Sequence, residues 1–237
     1  MTPQIETAEV TKDYDGLCAL DHVSIAAQLG QTTSIVGVNG AGKTTLLKIL
    51  AGLDFPTSGM VLLQGQEANS DQLRTHCTLV FQRNMMFGSS VYDNVAYGLK
   101  IKQSSSVDVP EKVRSALALV NLQGFDRRNA RKLSSGEQRR VSIARALAVD
   151  RDVLLLDEPT ANLDPANTII IERAIKECAQ SRAVVLSTHD LLQARRLSDR
   201  MIHLYRGRVV EEAEPHRFFA KPQHEATRLF MNGELYF

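Results

Sequence analysis

Apolar and polar positions change period several times along the chain. From Asp21 to Ala27 they alternate as in a half-buried strand, and Thr33 to Gly37 is a short apolar run closed by glycine. A helix is expected from about Gly42 to Ala51, with further strands at Met60–Leu63 and Thr78–Phe81. The middle is different. Ser90 and Asp93 have capping-box spacing and open a helix carrying Val95, Leu99 and Ile101. Gln103–Ser106 reads as a polar loop. Pro110 suits the first turn of a second helix, with Val113, Leu117 and Val120 on one face, and a third helix should run from Gly136 to about Val149. Strand signals return at Asp152–Leu156 and Ala183–Leu186, with a helical stretch, Asn167–Gln180, between them. That is strand–helix–strand grammar and implies a parallel sheet. Met201–Tyr205 and Arg208–Val210 flank Gly207 as a hairpin, and two short helices close the chain. The expected fold is α/β, with an N-terminal antiparallel β region, a mostly parallel sheet and an inserted helical subdomain. The core should occupy 1–85 and 149–237 and the insert 86–148.

Composition narrows the class. At 237 residues the chain suits one large domain or a core with an inserted subdomain. Its 43% hydrophobic and 23% charged residues are ordinary for a globular protein and exclude general disorder. The formal net charge of +1 removes the strongest sign of a general nucleic-acid binder. No apolar run approaches the roughly 18 residues needed to cross a bilayer. The N-terminus lacks a basic segment followed by an apolar one, so the chain reads as cytosolic. Cys18, Cys77 and Cys178 form no metal-binding spacing, and each reads as a buried, reduced thiol.

The chemistry concentrates in three places. Gly37-Val38-Asn39-Gly40-Ala41-Gly42-Lys43-Thr44 matches the phosphate-loop pattern, between an apolar strand and a helix continued by Thr45. Glycines let backbone N–H groups turn toward phosphates, and the helix N-terminus adds partial positive charge. Lys43 should bridge β- and γ-phosphate oxygens, and the Thr44 hydroxyl should bind Mg²⁺. Leu154–Leu156 then delivers Asp157 and Glu158 to a strand end, where ligands of open α/β sheets sit. Asp157 suits Mg²⁺ and Glu158 suits polarisation of an attacking water. Third, Leu133-Ser134-Ser135-Gly136-Glu137-Gln138 has helix-start chemistry, since Ser134 and Ser135 each have Glu137 or Gln138 three positions on.

In this order the motifs resemble those of ATP-binding-cassette (ABC) ATPases, and the resemblance covers essentially the whole chain. It implies that Ser134, Ser135, Gly136 and Glu137 bind the γ-phosphate of an ATP held by a second copy, so that hydrolysis needs a head-to-tail, ATP-dependent dimer. Tyr14 resembles the aromatic that stacks on adenine. Gln82 resembles the glutamine that senses Mg²⁺, and Asp164 lies in the segment that crosses the dimer interface. His189 resembles the switch histidine at the γ-phosphate. Ser135 stands where the family usually has glycine, adding a Cβ where backbone should approach phosphate, and Glu137 replaces the usual glutamine.

The resemblance also implies a peripheral motor on the cytoplasmic face of the cell membrane. Its partners would be integral-membrane permease subunits and, indirectly, an extracytoplasmic substrate-binding protein, with no nucleic acid. Met85, Met86 and Phe87 read either as core of the insert or as an adaptable surface for a permease helix. Val80–Arg83, Ser90–Leu99 and the ending with Phe218-Phe219, Thr227-Arg228 and Gly233–Tyr236 resemble oxyanion importers, most of all those for tungstate. Phosphate, molybdate or an amino acid are alternative cargoes, and a soluble ABC ATPase is the alternative class. Soluble ABC proteins of DNA repair carry long coiled-coil insertions, and this chain has no sustained heptads.

Overall fold

The computed structural model describes residues 2–101 and 108–234. The chain opens with strands β1 (Ile5–Tyr14), β2 (Leu17–Ala27) and β3 (Thr32–Val36), then helix α1 (Lys43–Leu50). Strands β4 (Ser58–Leu63) and β5 (Gln66–Glu67), helix α2 (Ser70–His76) and strand β6 (Cys77–Val80) follow. Three helices come next, α3 (Val91–Ile101), α4 (Val109–Leu119) and α5 (Ser135–Val149). Strand β7 (Val153–Asp157), helix α6 (Pro165–Ala179), strand β8 (Ala183–Thr188) and helix α7 (Leu191–Leu197) lead to the hairpin β9 (Arg200–Tyr205) and β10 (Arg208–Ala213). Helices α8 (Pro215–Ala220) and α9 (Glu225–Met231) end the described chain. The serine loop expected at Gln103–Ser106 lies outside the described residues, as do Leu235 and Tyr236.

By packing, the chain forms two units: 1–79 with 152–158 and 179–237, and 80–151 with 159–178. The second unit therefore takes in 159–178 as well as the helical insert. In the first, β2-β1-β4-β5 make an antiparallel sheet. A six-stranded sheet has the order β10-β9-β3-β8-β7-β6. Its centre is parallel, β9 with β3, β3 with β8 and β8 with β7. β3, β7 and β8 are buried at every residue, which is why they read as unbroken apolar runs. Their core side chains, among them Ile35, Leu155 and Val185, join Leu46, Leu47 and Leu50 of α1 and Val10, Leu20 and Val23 of the antiparallel sheet.

Three elements escape the periodic pattern. β1 is broken by register shifts at Thr7/Val10, Val10/Lys12 and Lys12/Asp13, so its apolar residues do not alternate cleanly. α2 buries only Leu73; it is held by a capping box in which Gln72 N donates to Asn69 Oδ1 (3.0 Å) and Asn69 N to Gln72 Oε1 (2.9 Å). α7 is started by Asp190, whose Oδ1 accepts from Leu192 N (2.8 Å) and Gln193 N (3.0 Å). One reading is corrected: Cys77 and Cys178 are buried, but Cys18 is exposed, because it pairs with Asp13 at the turn end of the β1–β2 hairpin, one residue from the turn itself.

The second unit packs α3, α4 and α5 on one another. Ser90 and Asp93 start α3 as expected, with Asp93 N donating to Ser90 Oγ (3.0 Å).

The C-terminal helices close a second apolar cluster in the first unit, Val36, Ala194, Met201, Ala213 and the fully buried Phe218. His203 is buried beneath α9. Its Nδ1 lies 3.0 Å from Thr227 Oγ1, its ring stacks on Phe230 with centroids 4.8 Å apart, and its Nε2 has no hydrogen-bond partner among the described residues. Burial pushes the imidazole pKa down to about 4, with His224 and Lys43 acting the same way and Glu211 opposing. An unfolded His titrates near 6.5, so between pH 6.5 and 4 the unfolded chain binds a proton that the folded chain refuses. Unfolding free energy should therefore fall by about 3 kcal/mol across that window from this group, level off below it, and be indifferent to it above. Urea titrations at several pH values check this: a His203→Gln chain should show a flatter slope than the parent between pH 6.5 and 4, and equal slopes would refute the assignment.

Candidate functional site

The loop between β3 and α1 is shaped by backbone that only glycine tolerates. Gly37 has φ +156° and Gly42 φ +107°. A Cβ on Gly37 would lie 2.2 Å from the Leu204 carbonyl oxygen, and one on Gly42 2.6 Å from that of Ala19. Gly42 is also the N-cap of α1, with no side-chain cap and no acidic residue in the first turn. The helix therefore presents its amide N–H groups and positive dipole end without a built-in anion. Lys43 is 7% exposed and turns back over this loop, donating to Gly37 O (2.7 Å) and Val38 O (3.0 Å). A third N–H remains for a ligand. Burial lowers the Lys43 pKa, and the carboxylates of Glu158 and Asp157 oppose that. Val38, Asn39, Gly40 and Ala41 form the turn itself, closed by Ala41 N to Val38 O (3.3 Å), with Thr44 and Thr45 in the first turn of α1.

The end of β7 meets this loop. Thr44 Oγ1 donates to Asp157 Oδ2 (2.9 Å), and Ser187 Oγ donates to Asp157 Oδ1 (2.6 Å). Parallel pairing of β7 and β8 sets Asp157 opposite Ser187. The next residue, Glu158, adopts φ +47°, rare for a residue with a side chain, and its N–H donates to Ser187 O (3.1 Å). That turn brings Glu158 Oε1 to 3.0 Å from His189 Nδ1. Glu158 is buried, whereas the His189 side chain is 60% exposed. Ser187 is the residue the motifs did not single out. Its signal was a hydroxyl at the end of a fully apolar strand.

Among the described residues no group of three or more His, Cys, Asp or Glu side chains gathers to hold a metal ion. The Thr44 hydroxyl and Asp157 carboxylate are a pair of hard oxygen donors, which fits Mg²⁺, an ion commonly held by one or two protein oxygens plus phosphates and water.

The remaining predicted residues belong to the second unit, apart from Tyr14 in β1. Gln82 is exposed in the bend after β6. Ser134 caps α5 in a capping box with Glu137: Ser134 N donates to Glu137 Oε2 (2.8 Å) and Glu137 N to Ser134 Oγ (3.3 Å). The Ser134 N–H holds the Glu137 carboxyl below its ordinary range. Ser135 makes no second box. Gln138 Nε2 donates instead to Leu133 O (3.0 Å), leaving Ser135 exposed at the helix start. Gly136 is the crowded position: a Cβ there would come within 2.5 Å of Asn167 Nδ2. Asn167 is in turn tied to Asp164, whose Oδ1 accepts from Asn167 N (3.0 Å) and whose carboxyl that bond holds low. Arg139, buried in α5, donates to Pro159 O (2.8 Å) and Phe81 O, a role no motif announced. Met85 and Phe87 are 68% and 42% exposed, so both belong to the surface and not to the core of the insert. Phe87 packs on Tyr97 with ring centroids 4.5 Å apart.

The family model described as ABC transporter matches residues 20–161. The chain belongs to this family. It is 40% identical to the phosphate import ATP-binding protein PstB 2 of Natronomonas pharaonis, over 98% of this chain and 87% of that one. It is 39% identical to the tungstate uptake system ATP-binding protein TupC of Peptoclostridium acidaminophilum, over 88% of this chain and 97% of that one. Among solved structures it resembles MJ0796, a dimeric bacterial ABC transporter cassette, with TM-score 0.82 and 31% identity over 89% of this chain and 98% of that one. The same cassette is also known as a post-hydrolysis dimer with ADP and Pi. Names of other relatives include sulfate/thiosulfate and spermidine/putrescine import, so kinship alone leaves the cargo of this ABC protein unresolved. Among the described residues, no helix is long and apolar enough to cross a membrane.

Proposed function

We propose that this ABC protein is the ATP-hydrolysing subunit of an oxyanion importer, and that its cargo is tungstate. The observation that carries the ATPase reading is the Thr44–Asp157 hydrogen bond beside Lys43 and the Glu158–His189 contact. The N–H groups of the loop and of α1, with Lys43, are suited to ATP phosphates. Thr44 and Asp157 would hold Mg²⁺. Bound there, the ion would neutralise phosphate charge. Glu158 takes the proton of the attacking water, and its buried carboxylate is aimed by His189 and by the strained backbone at φ +47°. While His189 donates through Nδ1 to Glu158, its neutral form has only a lone pair at Nε2. Donation from Nε2 to a γ-phosphate thus requires the doubly protonated ring.

Ser134–Glu137 at the start of α5 would complete the site of a second copy, as the head-to-tail dimer reading requires. The dimeric relative supports that reading. Phe81, Met85, Phe87 and Tyr97, exposed apolar side chains of the second unit, suit a helix of a permease partner on the cytoplasmic face of the membrane. A substrate-binding protein would act through that permease.

Tungstate rests on the match to TupC over nearly all of that protein, while the PstB 2 match favours phosphate as the second reading. Part of the C-terminal resemblance is packing: Phe218 is core and Thr227 is held by His203. The test is uptake at low external oxyanion, in cells with and without this chain, by elemental mass spectrometry and labelled phosphate. Selective loss of tungsten accumulation is expected. Loss of phosphate with tungsten unchanged would transfer the cargo to the second reading.

A further inference from the structure

Tyr14 ends β1 at the turn into β2, the strand whose Ala19 carbonyl abuts Gly42 of the phosphate loop. Its side chain is 40% exposed, yet its phenol is tied down. The hydroxyl donates to Asp54 Oδ2. The other oxygen of Asp54 accepts from Lys12 Nζ (2.6 Å) and from Phe55 N (2.8 Å), and Lys12 Nζ donates again to Phe55 O (2.7 Å). The same ammonium stands 4.7 Å from the centroid of the Tyr14 ring, in cation–π range.

This is not an ordinary surface ion pair. The Lys12 and Asp54 side chains are only 13% and 21% exposed, and their hydrogen bonds close a ring of partners around one aromatic side chain. The hydrogen bond to Asp54 holds the Tyr14 phenol above the ordinary tyrosine range, so it stays a donor; the Thr45 hydroxyl of α1 acts weakly in the opposite sense. Tyr14 is thus fixed both to the loop after α1, through Asp54, and beside the helix that carries Lys43 and Thr44.

We propose that Asp54 and Lys12 are positioning residues for Tyr14: they lock its ring in one orientation, with the ammonium over one face, so that a nucleotide base stacks on the other. The inference rests on the reading of Tyr14 as the base platform. A ring held before binding loses little side-chain freedom when the base arrives, so the lock acts on nucleotide affinity and not on the chemical step.

Steady-state ATP hydrolysis by the full chain tests it. Tyr14→Ala should raise KM for ATP at least about fivefold, the loss of one base–aromatic stack. Asp54→Ala and Tyr14→Phe should each raise KM about three- to fivefold, the first with kcat unchanged. Their double variant should be no worse than Asp54→Ala alone, because Asp54→Ala already removes the one bond that Tyr14→Phe cuts. A general loosening of the loop predicts additive losses instead. Asp54→Asn keeps an acceptor for the phenol and should restore much of the affinity. If Tyr14→Ala raises KM while Asp54→Ala and Tyr14→Phe behave as the parent, the lock is refuted and the platform stands. If Tyr14→Ala itself leaves KM unchanged, the platform reading fails.

Discussion

A Glu158→Gln chain is expected to bind ATP as the parent does and to turn it over at least about a hundredfold more slowly. The substitution is nearly isosteric, so the backbone at φ +47° and its hydrogen bond to Ser187 persist. The amide can still meet His189 Nδ1, 3.0 Å from the carboxylate in the parent. What it cannot do is accept a proton from water. Without hydrolysis, ATP held between two copies is not discharged, and the dimer should accumulate in its closed form. Phosphate release reads the first effect, and size-exclusion chromatography with and without ATP reads the second. Hydrolysis at the parental rate would remove Glu158 from the role of general base, whatever the dimer does.

Lys43→Ala should fail one step earlier. The ammonium is 7% exposed and already donates to the carbonyls of Gly37 and Val38. Its loss removes both the charge that meets the phosphates and a strut of the loop that surrounds them. Hydrogen bonds to charged partners contribute about 1.5–3 kcal/mol each, so ATP affinity should fall by about tenfold to a hundredfold or more. Such a chain stays monomeric at ATP concentrations that dimerise Glu158→Gln. Equilibrium binding by calorimetry decides: near-parental affinity would mean that the loop N–H groups and the α1 dipole hold the nucleotide without Lys43. The two variants separate binding from chemistry, because one should be trapped after ATP binds and the other should seldom bind it.

Much of the molecule was legible in advance, and the reason differs by element. β3, β7 and β8 have both faces covered, so selection for burial acts on every residue and leaves an unbroken apolar run. The loop from Gly37 to Thr44 was legible because phosphate binding constrains consecutive residues, and local constraints appear as local motifs. β1 was not delimited because its bulges shift register three times. α2 was missed because one buried leucine makes no periodic stripe, although its Asn69–Gln72 cap was present to be read. Cys18 was placed inside on the general habit of cysteine, which says nothing about a residue beside a hairpin turn.

The residues of the site follow the same division. Lys43, Thr44, Asp157 and Glu158 were named from short stretches of chain, since each sits at a strand or helix end whose local pattern marks it, whereas His189 was named only through the family resemblance. Their partners came only from tertiary structure. Ser187 faces Asp157 because β7 and β8 are paired in one register, and nothing near either residue encodes that. Asp54 and Lys12 meet at Tyr14 because a strand and a distant loop are folded together. Sequence alone determined which side chains are candidates for the chemistry and where they stand in the chain, for those types and spacings are local requirements. The tertiary structure decided how each is aimed and held, because hydrogen bonds between distant segments exist only after the sheet has set their register.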